Sequence, residues 1–226
     1  MSRRQDRRRR SHPKPQGGTS LPREVVEDVR AASGGKSNRA VSLVERAVAA
    51  LDAGRAIDAE RAASEAKELA PRSGAVREVL GLARYRRGKF REALRELQTY
   101  RRLTGRVDQN HLIADAHRAV GDPDKAVQAA REAMEARVPA EVRAEAAVVG
   151  GAALADQGRY DQALALLRRL DRGAEVARSH DLRVWYVIAD VLERSGRPKE
   201  AARVFRRIQS HQPDAFDVSE RLARLS

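Results

Sequence analysis

From Asn38 onward, apolar and small side chains recur in helical stripes, each closed by a single glycine and a polar turn. Taking Gly54, Gly88, Gly121, Gly158 and Gly196 as a frame gives spacings of 34, 33, 37 and 38 residues. Five residues after each glycine stands an alanine: Ala59, Ala93, Ala126, Ala163 and Ala201. Seven residues before each stands Ala47, Gly81, Ala114, Gly151 or Ala189, always tiny. Nine after come Ala63, Leu97, Ala130, Leu167 and Phe205, and twelve after come Ala66, Tyr100, Ala133, Leu170 and Ile208, all apolar. These columns are internal repeats. Ahead of them a shorter stripe, Leu21, Val25, Val26 and Val29, predicts a helix capped by Ser20 and stopped at Gly34-Gly35. Glu24, Glu27 and Asp28 read as the solvated side of that helix.

Each column has a physical reason. Two antiparallel helices joined by a short turn need a residue that accepts positive φ after the first helix, hence the glycine. Close approach of the two axes needs small side chains at the crossing, hence the tiny column before the turn and the alanine column after it. The larger apolar residues further on fill the gap to the next unit. One hairpin cannot bury its own apolar face, so stacking is required.

Leu80-Gly81, the string Gly88-Lys89-Phe90-Arg91-Glu92-Ala93-Leu94 with Leu97, and Gly158-Arg159-Tyr160-Asp161-Gln162-Ala163-Leu164 with Leu167 resemble the tetratricopeptide repeat family. Leu69-Ala70-Pro71, Trp185, Phe205 and Pro213 fit the same pattern, whereas Pro123 stands where the family favours an aromatic and Pro139 falls one residue late. The resemblance covers roughly 40–214. It implies an all-α, right-handed superhelical solenoid of antiparallel helix pairs with units at about 40–73, 74–106, 107–143, 144–181 and 182–214. An N-terminal capping helix (21–36) and a C-terminal one (215–225, capped by Asp214) complete a solenoid spanning 37–226. The long last spacings place extra residues near 140–143 and 172–181 and predict local distortion there.

Composition narrows the function. The chain has 226 residues with 45 basic and 32 acidic side chains, a formal charge of +13, and no cysteine, which excludes disulfides and thiolate metal sites. No run approaches a membrane span, and the basic N-terminus lacks the apolar core of a secretory signal, so a cytoplasmic protein is expected. Only six basic residues are lysines, so the bulk arginine excess is a weak signal. The first twenty residues differ: Arg3, Arg4, Arg7, Arg8, Arg9 and Arg10 make an Arg-rich tail (1–20) without periodicity, expected to be disordered. It reads equally as a phosphate-binding polyanion site or as a solubilising segment.

Catalytic constellations fail. The string Arg30 to Ser37 ends like a phosphate-binding loop, but Arg30 replaces its first glycine and a helix, not a strand, precedes it. His111 and His117 are six apart and face different sides of a helix. No enzyme, metal site, cofactor or small-molecule substrate is expected.

The resemblance implies instead that the first helix of each pair lines a concave, peptide-binding face. On the glycine frame that face carries Glu78, Leu82, Tyr85 and Arg86, then His111, Asp115 and Arg118, then Glu145 and Asp156, then Arg183, Tyr186, Asp190 and Arg194. The lysines and asparagines with which one subgroup clamps a C-terminal carboxylate are absent from these positions. Two readings of the charges stay open: they hold a polar peptide, or they pair with one another across adjacent helices. The expected function is a protein-interaction scaffold. The alternative is an RNA- or ribosome-associated factor whose arginine tail contacts phosphates.

Overall fold

The computed structural model describes residues 19–171 and 176–225. The arginines at 3–10 and residues 172–175 of the second insertion lie outside these residues. Among the described residues there are twelve α-helices and no strand. A leading helix α1 (Arg23–Ser33) and a short 3-10 turn (Gly34–Lys36) precede five helix pairs. The pairs are α2 (Ser37–Asp52) with α3 (Ala56–Leu69), α4 (Gly74–Arg86) with α5 (Phe90–Thr104), and α6 (Asn110–Ala119) with α7 (Pro123–Glu135). They continue with α8 (Ala140–Asp156) and α9 (Tyr160–Arg168), then α10 (Ser179–Arg194) and α11 (Pro198–His211), before a terminal α12 (Val218–Arg224).

The frame glycines make the turns. All five have φ between +70° and +85°. At each, the glycine N–H donates to the carbonyl three residues back and the following N–H to the carbonyl five back, as in Lys89 N to Arg84 O at 2.9 Å. This double closure is the Schellman motif, which satisfies carbonyls the first helix would otherwise leave bare. The five column alanines are fully buried. A Cβ on Gly81 would lie 2.6 Å from the Leu97 side chain, and one on Gly151 would lie 2.8 Å from Leu167. Tiny column and large column therefore interlock within each pair, which is why the sequence alternates them.

Successive units stack by packing each second helix on the next first helix: α3 on α4, α5 on α6, α7 on α8 and α9 on α10. First helices also touch one another, α2 with α4, α6 with α8 and α8 with α10, while among the described residues no comparable packing joins successive second helices. Neighbours are closer on the inside of a curve than on the outside. The first helices therefore line the inner face.

Three local expectations change. Residues 140–143 are taken up as an extra first turn of the 17-residue α8. Ser20 does not cap α1, whose N-cap is Pro22; its N–H and hydroxyl donate to the Glu45 carboxylate on α2 at 2.6 and 2.8 Å. Asp214 does not cap α12 either, because the chain turns through Phe216 at φ +52° and the N-cap is Asp217.

The larger change concerns α1, expected to stack on the open end. Val76, Leu80 and Ala83 of α4 are the positions covered by the preceding unit, and all are fully buried. Their equivalents on α2, Ser42, Arg46 and Ala49, are exposed. The inner positions Val41, Val44 and Leu51 are buried instead. The helix α1 packs on both α2 and α4. It therefore lies across the inner face of the first unit. Asp28 fixes it there, accepting from the Ser73 hydroxyl and from the N–H groups of Gly74 (3.3 Å) and Ala75 (3.0 Å) at the start of α4. The carboxylate assigned to solvent is a cap on another helix.

Candidate functional site

Past α1, the inner face belongs to α4, α6, α8 and α10. The frame predicts which residues project there, and the structure shows what they touch. Tyr85 donates its hydroxyl to Asp115 across the second and third units. Arg118 Nε reaches Asp156 on α8 at 2.7 Å, with Asp115 3.7 Å from its other end. Arg194 on α10 meets the same Asp156 at 3.1 Å and Asp190 at 3.7 Å. Arg183 and Glu145 pair at 3.0 Å. The charges thus form a ladder across successive first helices. Of the two readings of the sequence, cross-helix pairing is the one the contacts show for these residues.

The remaining predicted residues take other partners. Arg86 donates to the Leu51 carbonyl at the end of α2. Leu82 packs on the apolar cluster beneath α1. Glu78 accepts from Gln109 at 2.7 Å. Burial raises the Glu78 pKa above the ordinary carboxylate value, and the Gln109 hydrogen bond only partly offsets it. His111 donates from Nδ1 to the Asp108 carbonyl at 3.0 Å, which leaves Nε2 as an acceptor. Burial holds its pKa below the usual imidazole value, although Glu145, Asp108 and Asp115 pull the other way. Burial also pushes Tyr85 well up, helped by its hydrogen bond to Asp115 and by the Glu145 charge. Tyr186 donates to Asp217 at 2.6 Å and is pushed up to about 12, by burial first and by that carboxylate second.

His111 stands in the field of Asp108, Asp115 and Glu145, of which Asp115 and Glu145 also meet Arg118 and Arg183. A cavity of about 540 Å³ opens beside it, lined by the 105–109 and 136–139 turns and by Val142. At the far end, Arg221 of α12 closes the ladder on Asp190 and Glu193, both at 2.8 Å. Sequence reasoning passed over Arg221, Asp217 and Asp28 because each belongs to a flanking helix outside the glycine frame. It passed over Val41, Val44, Val48 and Leu51 because an apolar inner position carries no charge to notice, although the same frame assigns them.

Among the described residues no group of His, Asp and Glu is arranged to hold a metal ion. No helix there is long and apolar enough to cross a membrane.

Tetratricopeptide repeat family models match residues 111–177 and 182–225. No curated protein matches the chain. Among solved structures, a thermophilic tetratricopeptide repeat protein of Thermus thermophilus is 17% identical, with 82% of this chain and 98% of that one covered and a TM-score of 0.59. A tetratricopeptide repeat protein from Parabacteroides merdae is 20% identical, covering 83% and 72%, with a TM-score of 0.67. YrrB, described as a tetratricopeptide repeat protein with an unusual peptide-binding site, is 16% identical, covering 86% and 97%, with a TM-score of 0.61. At such identities the likeness is one of fold. The two family-model matches, with the glycine frame, the Schellman turns and the interlocked small and large columns, make this a tetratricopeptide repeat protein.

Proposed function

We propose that the chain is a non-enzymatic interaction scaffold that holds a peptide or protein segment on the inner face of its second to fifth units. The observation that carries this is the inner surface around His111, where Glu78, Asp115 and Glu145 stand on three successive first helices beside a cavity whose lining includes Arg106, Asp108 and Arg137. Gln109 bonds Glu78, Tyr85 bonds Asp115 and Arg183 pairs with Glu145. Such a mixed-charge surface suits a polar segment, with Glu78 open to a donor because its carboxylate makes no ion pair among the described residues. The ladder holds the walls in place before the ligand arrives, which lowers the ordering cost of binding. The first unit offers no such surface, because α1 fills it.

A photo-crosslinking amino acid placed at Val148 on the inner face, or at Arg203 on α11, tests the reading in cells. A discrete protein adduct from Val148, absent from Arg203 and insensitive to nuclease, is the expected result. Adducts only from Arg203, or adducts that vanish with nuclease, would contradict it; the latter would favour an RNA-associated role for the arginine tail.

A further inference from the structure

The outer side of the molecule carries a second groove, with basic walls. Because α5 and α7 do not pack together, a cleft of about 470 Å³ runs between them over α6. Its floor is Ile113 and Ala129, both nearly fully buried, with His117 beside them. His117 is only 7% exposed, and its Nδ1 has no hydrogen-bond partner among the described residues.

The walls are basic for a structural reason. Helix α5 carries two acids and four arginines. Both acids turn away from the cleft. Glu96 is bound by Lys67, Arg77 and Arg84, and Glu92 lies 3.5 Å from Arg84. Arg102, which lines the cleft, and Arg91 and Arg95, which extend its stripe along α5, are left exposed over about 16 Å at 1.5 Å per residue. None of the three has an ion-pair partner among the described residues. Lys125, paired with Asp122 at 3.3 Å, faces them from α7, and Gln98 and Gln128 supply neutral donors and acceptors at the rim. The only carboxylate among the described residues lining the cleft, Glu132, is engaged by Arg101 at 2.6 Å and by Asn110 at 3.1 Å.

We propose that this cleft docks an acidic protein segment whose carboxylates meet Arg95, Arg102 and Lys125 while one apolar side chain rests on Ile113 and Ala129. Charge complementarity selects the acidic partner. The apolar floor and the lack of any aromatic lining favour a peptide over a nucleic acid, which would need stacking platforms for its bases. This surface shares no residue with the inner face.

Full-length protein, titrated with a labelled polyglutamate peptide and with an oligo-dU of equal formal charge, tests the proposal by fluorescence anisotropy. The Arg95→Glu/Arg102→Glu variant should bind polyglutamate about tenfold or more weakly, because the peptide's carboxylates then meet like charges. The Arg203→Glu/Arg206→Glu variant on α11 carries the same charge change and keeps the same tail, and should stay within about twofold of the parent. Unchanged thermal melting of both variants excludes misfolding as the cause. Equal losses in the two variants, no binding of polyglutamate by the parent, or tighter binding of oligo-dU with the same dependence on Arg95 and Arg102 would each overturn it.

Discussion

The two halves of the solenoid solve the same packing problem with opposite placements of charge. In the first unit the inner positions Val41, Val44, Val48 and Leu51 are apolar and α1 lies over them, while across the first two units the ionic groups are buried between α3, α4 and α5. There Glu96, only 3% exposed, accepts from Lys67, Arg77 and Arg84 at 2.6–2.8 Å. Glu60 is held by Arg87 and Lys89. In the last three units the charges sit half-exposed on the inner face, and the interior is apolar and aromatic, with Phe205 fully buried. Trp185 is enclosed there, its Nε1 donating to Asp171 while Arg207 stacks 3.6 Å over its ring and bonds the same carboxylate. The buried apolar residues accordingly fall into two clusters, one ending at Ala83 and the other beginning at Leu94. One helical frame thus yields a closed face where its inner positions are apolar and an open face where they are charged.

The sharpest way to break this contrast is to remove a carboxylate from each half. Glu96→Ala leaves three cations around a dry cavity and should cost about 3–5 kcal/mol. Asp156, about 40% exposed beside Arg118 and Arg194, sits in screened surroundings, and Asp156→Ala should cost no more than about 1 kcal/mol. Urea unfolding of both variants decides it; equal losses would mean that the two charge placements do not differ.

Acid adds a second test of the same pair of regions. Burial raises the Glu60 and Glu96 pKa values, but their lysine and arginine hydrogen bonds outweigh it and leave both below the ordinary 4.5. The folded values are depressed, so their contribution is present above that pH and is lost as pH falls through it. His111 and His117, depressed by burial below 6.5, should begin to cost stability as pH falls below that value. Melting temperature should decline gently below about pH 6.5 and steeply below about 4.5, and Glu96→Gln should flatten only the steep part. A single decline near neutrality would contradict the assignment.

Next in size is the interlock shared by both halves. Gly81→Ala and Gly151→Ala should each cost about 1–2 kcal/mol net, the clash with Leu97 or Leu167 outweighing the better helix propensity of alanine. A raised melting temperature in either would mean the helix crossing is looser than the structure has it. A smaller and more local effect than the glycine substitutions should come from Asp28→Ala. It removes the cap on α4 at a cost of about 1 kcal/mol and should speed hydrogen exchange in 23–33 more than anywhere else.

The repeat frame was legible because its columns are steric necessities. A tiny residue at 81 or 151 faces a leucine, and a glycine at each turn holds positive φ. The inner-face residues were legible as positions for the same reason. Their partners were not, because Arg118 and Asp156 are 38 residues apart and pairing depends on how far one unit twists on the next. The placement of α1 was the least legible feature. Its stripe of Val25, Val26 and Val29 announces a buried face but not what buries it, and only the polar Ser42 and Arg46 on α2 hinted that the end of the stack would stay open.

That placement sets which part of the inner face is free, and the absence of native cysteine allows it to be probed one residue at a time. Single-cysteine chains carrying Ser42→Cys or Val44→Cys, treated with a maleimide under native conditions, separate the two arrangements. With α1 across the inner face, the cysteine at 42 reacts rapidly and the one at 44 is protected until the protein unfolds. A protected 42 with a reactive 44 would put α1 on the end of the stack and leave the first unit open to the ligand.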